Sequence, residues 1–227
     1  MLRKWDELPN YMKNDAVRPY YDSLKKKQFS MRFKRWFDFF ASVGMIIILS
    51  PFFLCISVAI IADSKGGVFF CQERITQYGK KFKIIKFRTM IKDAEKKGSQ
   101  VTVANDIRIT KVGRILRKYR IDEIPQLFNI LLGDMSFVGT RPEVEKYVKM
   151  YSPEMFATLL LPAGITSEAS IYYKDEADLL KDAVDPDSIY IGKVLPEKMN
   201  YNLESIKRFS FLKEFGIMLK TVFAVVR

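Results

Sequence analysis

Between Asp38 and Asp63 the chain carries 24 consecutive residues, 39–62, without a charge. In helical form that run is about 36 Å long, enough for the roughly 30 Å hydrocarbon core of a bilayer. A soluble helix of this kind would have to be long, apolar all round and fully buried, so membrane contact is the reading the run favours. It begins too late, and lacks the small-residue cleavage pattern, for a signal peptide. Both flanks are basic. Residues 18–37 hold Arg18, Lys25, Lys26, Lys27, Arg32, Lys34 and Arg35, and residues 63–83 hold Lys65, Arg74, Lys80, Lys81 and Lys83. Basic flanks belong on the cytoplasmic side, so two of them are best met when both ends lie there. Ser50 and Pro51 sit at the centre. Proline removes a backbone donor and crowds the preceding turn, and the Ser50 hydroxyl can satisfy the freed carbonyl. A helix bent at Ser50-Pro51 that enters and leaves the same leaflet meets these facts. A kinked helix that spans the bilayer is the alternative.

The rest of the chain is strongly basic, with 38 Lys and Arg against 26 Asp and Glu, a formal charge of +12 in 227 residues. Such an excess suits anionic partners: nucleic acid, acidic headgroups or phosphorylated substrates. There is no histidine, which excludes Ser-His-Asp and Cys-His catalysis and His-based metal sites. Acid–base or nucleophilic work then falls to carboxylates, Lys, Tyr or Cys. Cys55 and Cys71 make no metal spacing and read as packing residues in a reducing compartment.

In order along the chain, residues 1–31 form an N-terminal extension, 32–64 the membrane helix, and 65–227 a catalytic domain ending in an amphipathic helix. Gly66-Gly67 makes a turn. Val68–Gln72 and Phe82–Phe87 are short β-like runs joined through Tyr78-Gly79-Lys80. Alternation puts Lys86 and Arg88 on one face, as phosphate or headgroup contacts or as an ordinary solvated face. Residues 89–110 look helical and then loop-like. Thr110 can cap a helix carrying Val112, Ile115 and Leu116 on one face, with Arg114, Arg117 and Lys118 around it. Glu143–Tyr151 reads as a helix and residues 174–187 as an exposed acidic stretch. Ile206–Val226 reads as a basic amphipathic helix, suited equally to a membrane interface or to the protein core.

Within Leu116–Pro142, the adjacent carboxylates Asp122 and Glu123 follow Arg117, Lys118 and Arg120, and Arg141 stands at the far end. The spacing of Leu127, Phe128, Ile130 and Leu131 predicts a helix that begins at Asp122, with Pro125 in its first turn. Such an acidic pair can hold a divalent cation against a phosphate, since Mg²⁺ commonly takes one or two carboxylates and leaves its other positions to water and phosphate. It can equally be a helix cap with a favourable dipole contact.

Taken together, Lys34-Arg35-Trp36-Phe37-Asp38, the Ser50-Pro51 break, Lys86-Phe87-Arg88-Thr89-Met90 and the stretch 116–142 resemble the bacterial sugar transferases. These are the monotopic phosphoglycosyl transferases that begin the assembly of capsular, O-antigen and other exported glycans. The most specific match is Asp-Glu-Ile-Pro-Gln-Leu-Phe-Asn, followed by Gly-Asp-Met-Ser-Phe-Val-Gly and Arg141-Pro142. The resemblance implies transfer of a sugar 1-phosphate from a UDP-sugar to polyprenyl (undecaprenyl) phosphate, with release of UMP, Mg²⁺ dependence and a site on the cytoplasmic face of the bacterial inner membrane. It implies that Asp122 is the nucleophile that carries the phosphosugar and that Glu123 is its metal ligand or helper. The Asp122–Glu123 pair would hold the Mg²⁺, and Arg117 and Arg141 would hold phosphates. Two departures stand out. Thr140-Arg141-Pro142 replaces a common Pro-Arg-Pro, and Pro162-Ala163-Gly164-Ile165-Thr166-Ser167 replaces Arg-Pro-Gly-Ile-Thr-Gly followed by Trp-Ala-Gln. The donor sugar is therefore not to be copied from better-known relatives.

The fold expected is α/β and mostly helical, with a re-entrant membrane helix broken at Ser-Pro, a small β-hairpin and interfacial amphipathic helices around a cytoplasmic catalytic domain. Its partners are the donor, the lipid acceptor and membrane phospholipids. Nucleic acid is discounted because it explains the charge but not the apolar run, and a homo-oligomer is left open. The reading from another class is a basic, membrane-anchored scaffold in which the Asp-Glu pair only caps a helix.

Overall fold

A computed structural model of the chain describes residues 2–92, 94, 106–174 and 185–226. The helical start expected within 89–110 and the acidic stretch 174–187 fall largely outside the described residues. The fold is mostly helical, with two small two-stranded sheets.

After α1 (Arg18–Lys25) the apolar run lies inside one helix, α2 (Gln28–Asp63), of 36 residues. At 1.5 Å per residue it is about 54 Å long. Pro51 sits within it, and the helix continues on both sides. The Ser50 hydroxyl donates to the Ile47 carbonyl at 2.8 Å, the acceptor that Pro51, without an N–H, leaves open. One face of α2 is bare. Phe29, Trp36, Phe40, Ile47, Ile48, Phe52, Leu54 and Val58 are all exposed. Cys55 and Cys71 are exposed as well. This corrects their reading as packing residues, because Cys55 falls on the outward face of α2.

The other face of α2 is bonded to the body along its whole length. Near its start, Lys34 donates to the Val138 carbonyl at 2.8 Å and pairs with Glu214 at 2.5 Å, and all three side chains of Lys34, Asp38 and Glu214 are buried. Asp38 accepts from the Ser136 hydroxyl at 2.8 Å, and Arg35 donates to the Ile130 and Leu131 carbonyls. In the middle, Ile46 and Leu49 pack on a cluster of Phe82, Ile84, Leu127, Ile130, Met135 and Ala163. Toward the end, Phe53 and Ile56 meet Ile60, Phe87 and Leu116, and the Asp63 carboxylate accepts the Val112 N–H at 2.8 Å.

The hairpin forms as β1 (Phe69–Ile75) and β2 (Lys81–Phe87), antiparallel, with Phe69 opposite Phe87 and Ile75 opposite Lys81. Thr110 caps α3 (Lys111–Lys118), accepting from the Gly113 N–H at 3.0 Å. The next helix, α4 (Gln126–Leu132), starts four residues later than expected. Arg120 takes a left-handed conformation (φ 52°), Ile121–Glu123 make a separate 3-10 turn, and Pro125 becomes the N-cap. The acidic pair therefore sits in a tight turn between two helices, not in a helix's first turn.

β3 (Met135–Val138) pairs in parallel with β4 (Ala163–Thr166), a sheet the periodicity did not announce. The strands extend into a close approach that only glycine allows: a Cβ on Gly164 would come within 2.1 Å of the Gly139 nitrogen. Between them lies the short α5 (Glu145–Val148), and after them α6 (Glu168–Tyr172), α7 (Pro186–Ile189), a π-helical turn at Tyr190–Val194, and α8 (Leu195–Lys207). The C-terminal segment is not one helix from Ile206. It breaks after Lys207, and α9 (Phe211–Val226) follows. Ile206 and Phe209 are buried with Leu8, Met12, Val17, Tyr20, Tyr21 and Leu24 of the N-terminal segment, and this burial interrupts the helical period. α9 itself is two-faced. Phe211 and Phe215 meet Phe37 of α2 edge-on, and Leu212, Leu219, Val222 and Phe223 are exposed.

Removing one partner of a buried ion pair strands the other. Lys34→Ala is accordingly expected to lower unfolding stability, measured in mild detergent, by about 3–5 kcal/mol. The paired change Lys34→Met with Glu214→Leu should lose less. An equal loss in the two would contradict this account of the contact.

Candidate active site

Asp122 and Glu123 are both buried, at 8% and 7% exposure, yet they are held in opposite ways. Glu123 accepts from Lys86 Nζ at 2.9 Å and from both terminal nitrogens of Arg141. Burial alone would raise its pKa, but Arg141 and Lys86 outweigh that and hold it well below the usual carboxylate range. Asp122 has no hydrogen bond or ion pair among the described residues. Burial and the adjacent Glu123 charge push its pKa up, against Lys86, Arg117 and Arg141. One carboxylate is thus an anchor for two cations, and its neighbour, unbonded among the described residues, lies within reach of the charges of Lys86, Arg117 and Arg141.

The residues that build this corner come from distant parts of the chain. Lys86 stands on β2, and β2 is pinned to α4 by Asn129, whose side chain accepts the Ile85 N–H at 3.0 Å and donates to the Lys83 carbonyl at 2.8 Å. Arg141 follows β3, and its loop is tied to β1: Arg74 donates to the Pro142 carbonyl and the Ile75 N–H to the Glu143 carbonyl. Arg117 comes from the last turn of α3. Its Nε donates to the Thr89 hydroxyl at 2.8 Å, and burial lowers its pKa while the Asp122 charge supports it. The packing of α3 on that strand end is close, since a Cβ on Gly113 would lie 2.1 Å from the Thr89 carbonyl oxygen.

Lys86, Arg117 and Arg141 are therefore gathered around Asp122 and Glu123, as the motif order suggested. Arg88 is not. It lies just past β2, and its guanidinium donates to the carbonyls of Lys65 at 2.5 Å, Ser64 at 2.7 Å and Ile60 at 3.4 Å, closing the end of α2. Helix C-termini leave carbonyls without partners, and a buried arginine is a strong donor to them. Ser50 and Pro51 lie within α2. Two residues escaped the sequence reading. Asn129 is one, and Gln126 is the other, fully buried with neither amide atom hydrogen-bonded. The signal was there: both are amides set among the apolar residues of α4.

A divalent cation suits this donor set. The described residues contain no cluster of three or more potential metal ligands, but Mg²⁺ with phosphate substrates uses only one or two carboxylates. Asp122, with no hydrogen bond or ion pair among the described residues, would be the ligand most open to such an ion, and Glu123, which already accepts from Lys86 and Arg141, would be the second.

Comparison with known proteins gives a consistent result. The model of the bacterial sugar transferase family matches residues 29–227. The chain is 36% identical over 193 residues to a UDP-N-acetylgalactosamine-undecaprenyl-phosphate N-acetylgalactosaminephosphotransferase of Aeromonas hydrophila, covering 83% of this chain and 42% of that protein. It is 36% identical over 199 residues to a UDP-glucose:undecaprenyl-phosphate glucose-1-phosphate transferase of Klebsiella pneumoniae, covering 86% of this chain and 40% of that protein. The chain thus spans about two fifths of the length of these two relatives. It is also 30% identical over 211 residues to the exopolysaccharide production protein ExoY of Rhizobium meliloti, covering 85% and 84% of the two chains.

Asn129 holds the edge of β2 turned away from β1, in the strand that carries Lys86. Asn129→Leu is expected to cost roughly 1–3 kcal/mol of stability. As Lys86 shifts, turnover should fall on the order of tenfold or more. A variant with unchanged melting and unchanged turnover would refute this role for Asn129.

Proposed function

We propose that this chain, which belongs to the bacterial sugar transferase family, moves a sugar 1-phosphate from a UDP-sugar to polyprenyl (undecaprenyl) phosphate, as an early membrane step in polysaccharide synthesis. The observation that carries the reading is the division of labour between the adjacent carboxylates: Glu123 is locked by Lys86 and Arg141, and Asp122, in the same positive corner, has no hydrogen bond or ion pair among the described residues. Names of the relatives support the substrate classes, since two are transferases of sugar phosphates to undecaprenyl phosphate.

In this mechanism the Asp122 carboxylate attacks the phosphorus that bears the sugar. A P–O bond to Asp122 forms, the bond to the UMP oxygen breaks, and UMP departs with its electron pair. A phosphate oxygen of the polyprenyl acceptor then attacks the same phosphorus, and Asp122 is released as a carboxylate. Phosphoryl transfer asks mainly for position and charge neutralisation. Arg117 and Arg141 supply fixed positive charge to the phosphates. Lys86 keeps Glu123 ionised and in place, and so keeps the turn that aims Asp122. Mg²⁺ held by Asp122 and Glu123 would offset the charge between nucleophile and diphosphate.

The membrane arrangement we infer has both ends of α2 on the cytoplasmic face of the bacterial inner membrane, with the helix entering and leaving one leaflet around Pro51. What supports it is that Lys34, Arg35 and Asp38 at one end, Phe53 in the middle and Asp63 at the other end all contact the same body. A helix crossing to the far side could not keep both ends on a body of one side. The bare faces of α2 and α9 then meet lipid, and the reaction corner sits near the headgroups, where the acceptor's phosphate lies.

Two measurements test these statements. With purified protein, UDP-sugars and undecaprenyl phosphate, repeated turnover to UMP should require the lipid, with at most one UMP per protein released in its absence, and be lost with a chelator. Asp122→Asn should lower it by at least about 10³-fold, a scale typical of losing a group that forms the covalent intermediate. Full-rate release by Asp122→Asn would overturn the nucleophile assignment. For topology, cysteines engineered at Asn10 and Ser64, in a Cys55→Ser, Cys71→Ser background, should both label from the cytoplasmic side alone. Labelling from opposite sides would establish a spanning helix.

A further inference from the structure

The loop after β4, where the chain departs from the common family pattern, builds an aromatic feature that the mechanism leaves unused. Tyr172 at the end of α6 stacks on Tyr201 of α8, ring centroids 4.9 Å apart and planes 24° from parallel. Tyr173 meets Tyr201 edge-on at 6.4 Å, and its hydroxyl donates to Glu197. Ser167 caps α6 by accepting the Ser170 N–H at 3.0 Å. The pair is therefore braced from both sides. Yet Tyr172 is 69% exposed, so a braced aromatic ring presents open surface to solvent.

The same segment is tied to the acidic turn. Arg120, two residues before Asp122, donates from its guanidinium to the Lys174 carbonyl at 3.0 Å, two residues after Tyr172. A nucleotide donor whose diphosphate lies at Asp122 must carry its base several bonds away from the reacting phosphorus, beside the corner and not in it. Every nucleobase has a flat π-face, and base–aromatic stacking needs no dedicated hydrogen-bond readout. A sugar ring, in contrast, asks for polar groups matched to its hydroxyls.

We propose that the Tyr172–Tyr201 stack is the platform for the uracil ring of the donor nucleotide. This rests on the transferase reading above and extends it to the nucleoside end of the substrate. The platform binds the part of the donor that leaves as UMP, so it acts on the affinity for UMP and for every UDP-sugar alike, whatever sugar is transferred.

The test uses the full chain in lipid nanodiscs and titrates UMP, which has no sugar, into wild type, Tyr172→Ala and Tyr172→Trp. UMP affinity should fall roughly tenfold in Tyr172→Ala, within the range expected for loss of one base stack, and return in Tyr172→Trp. KM for the UDP-sugar should rise in parallel, with a smaller change in kcat. Binding of the variant to liposomes of acidic phospholipid should match wild type. If wild type binds UMP and Tyr172→Ala binds it as tightly, the platform is refuted while the transferase reading stands. If Tyr172→Ala instead loses liposome binding with UMP affinity intact, the pair is a membrane contact and the proposal fails. If wild type neither binds UMP nor turns over, both readings fall.

Discussion

The corner depends on one buried carboxylate. Glu123 takes Lys86 from the hairpin and Arg141 from the loop after β3, and so draws two otherwise separate pieces of chain onto the turn between α3 and α4. A buried ion cluster of this kind is not a cheap source of stability, because desolvation offsets most of the attraction. It is, however, specific. With Glu123 satisfied by two cations, the positive charge of Lys86, Arg117 and Arg141 also acts on Asp122, which has no hydrogen bond or ion pair among the described residues. The same ion pairs that hold the turn thus leave a buried carboxylate and a positively charged surround in one place.

A second constraint is the contact between α2 and the body. Lys34, Glu214 and Asp38 form a charged knot at one end, and Arg88 and Asp63 fasten the other. Polar groups buried against an otherwise apolar helix fix its rotation, because any other face would bury them without partners. The face left bare is apolar along α2 and continues on α9, joined by the ring contacts of Phe33 and Phe37 with Phe211. One element thus links the two proposed features: the inner face of α2 packs beneath β2 and α4, which carry or position Lys86 and the acidic turn, and its outer face is apolar and exposed.

Much of this was readable in the residues, and the failures have physical causes. The uncharged run, the hairpin turn and the Thr110 cap depend on local composition and period, and each is found where it was expected. The gathering of Lys86, Arg117 and Arg141 around Asp122 and Glu123 was legible only through the order of motifs, since no local pattern brings residues 86 and 141 together. Arg88 was misread because alternation assumes that the strand continues. β2 ends at Phe87, and the carbonyls closing α2 compete for the guanidinium. The helix start was misread at Asp122 because a left-handed Arg120 is not visible in residue type. The parallel β3–β4 pair was missed because four-residue strands carry too little alternation, and their glycines serve backbone approach instead of a side-chain face.

The claim that Asp122 itself carries the phosphosugar is tested most directly by intact-protein and peptide mass spectrometry after incubation with a UDP-sugar in the absence of lipid acceptor. The account expects a mass increase of one sugar phosphate on the peptide containing Asp122, removed when undecaprenyl phosphate is added and absent in Asp122→Asn. An adduct on another residue, or lipid-dependent turnover in which the protein never gains mass under single-turnover conditions, would contradict it.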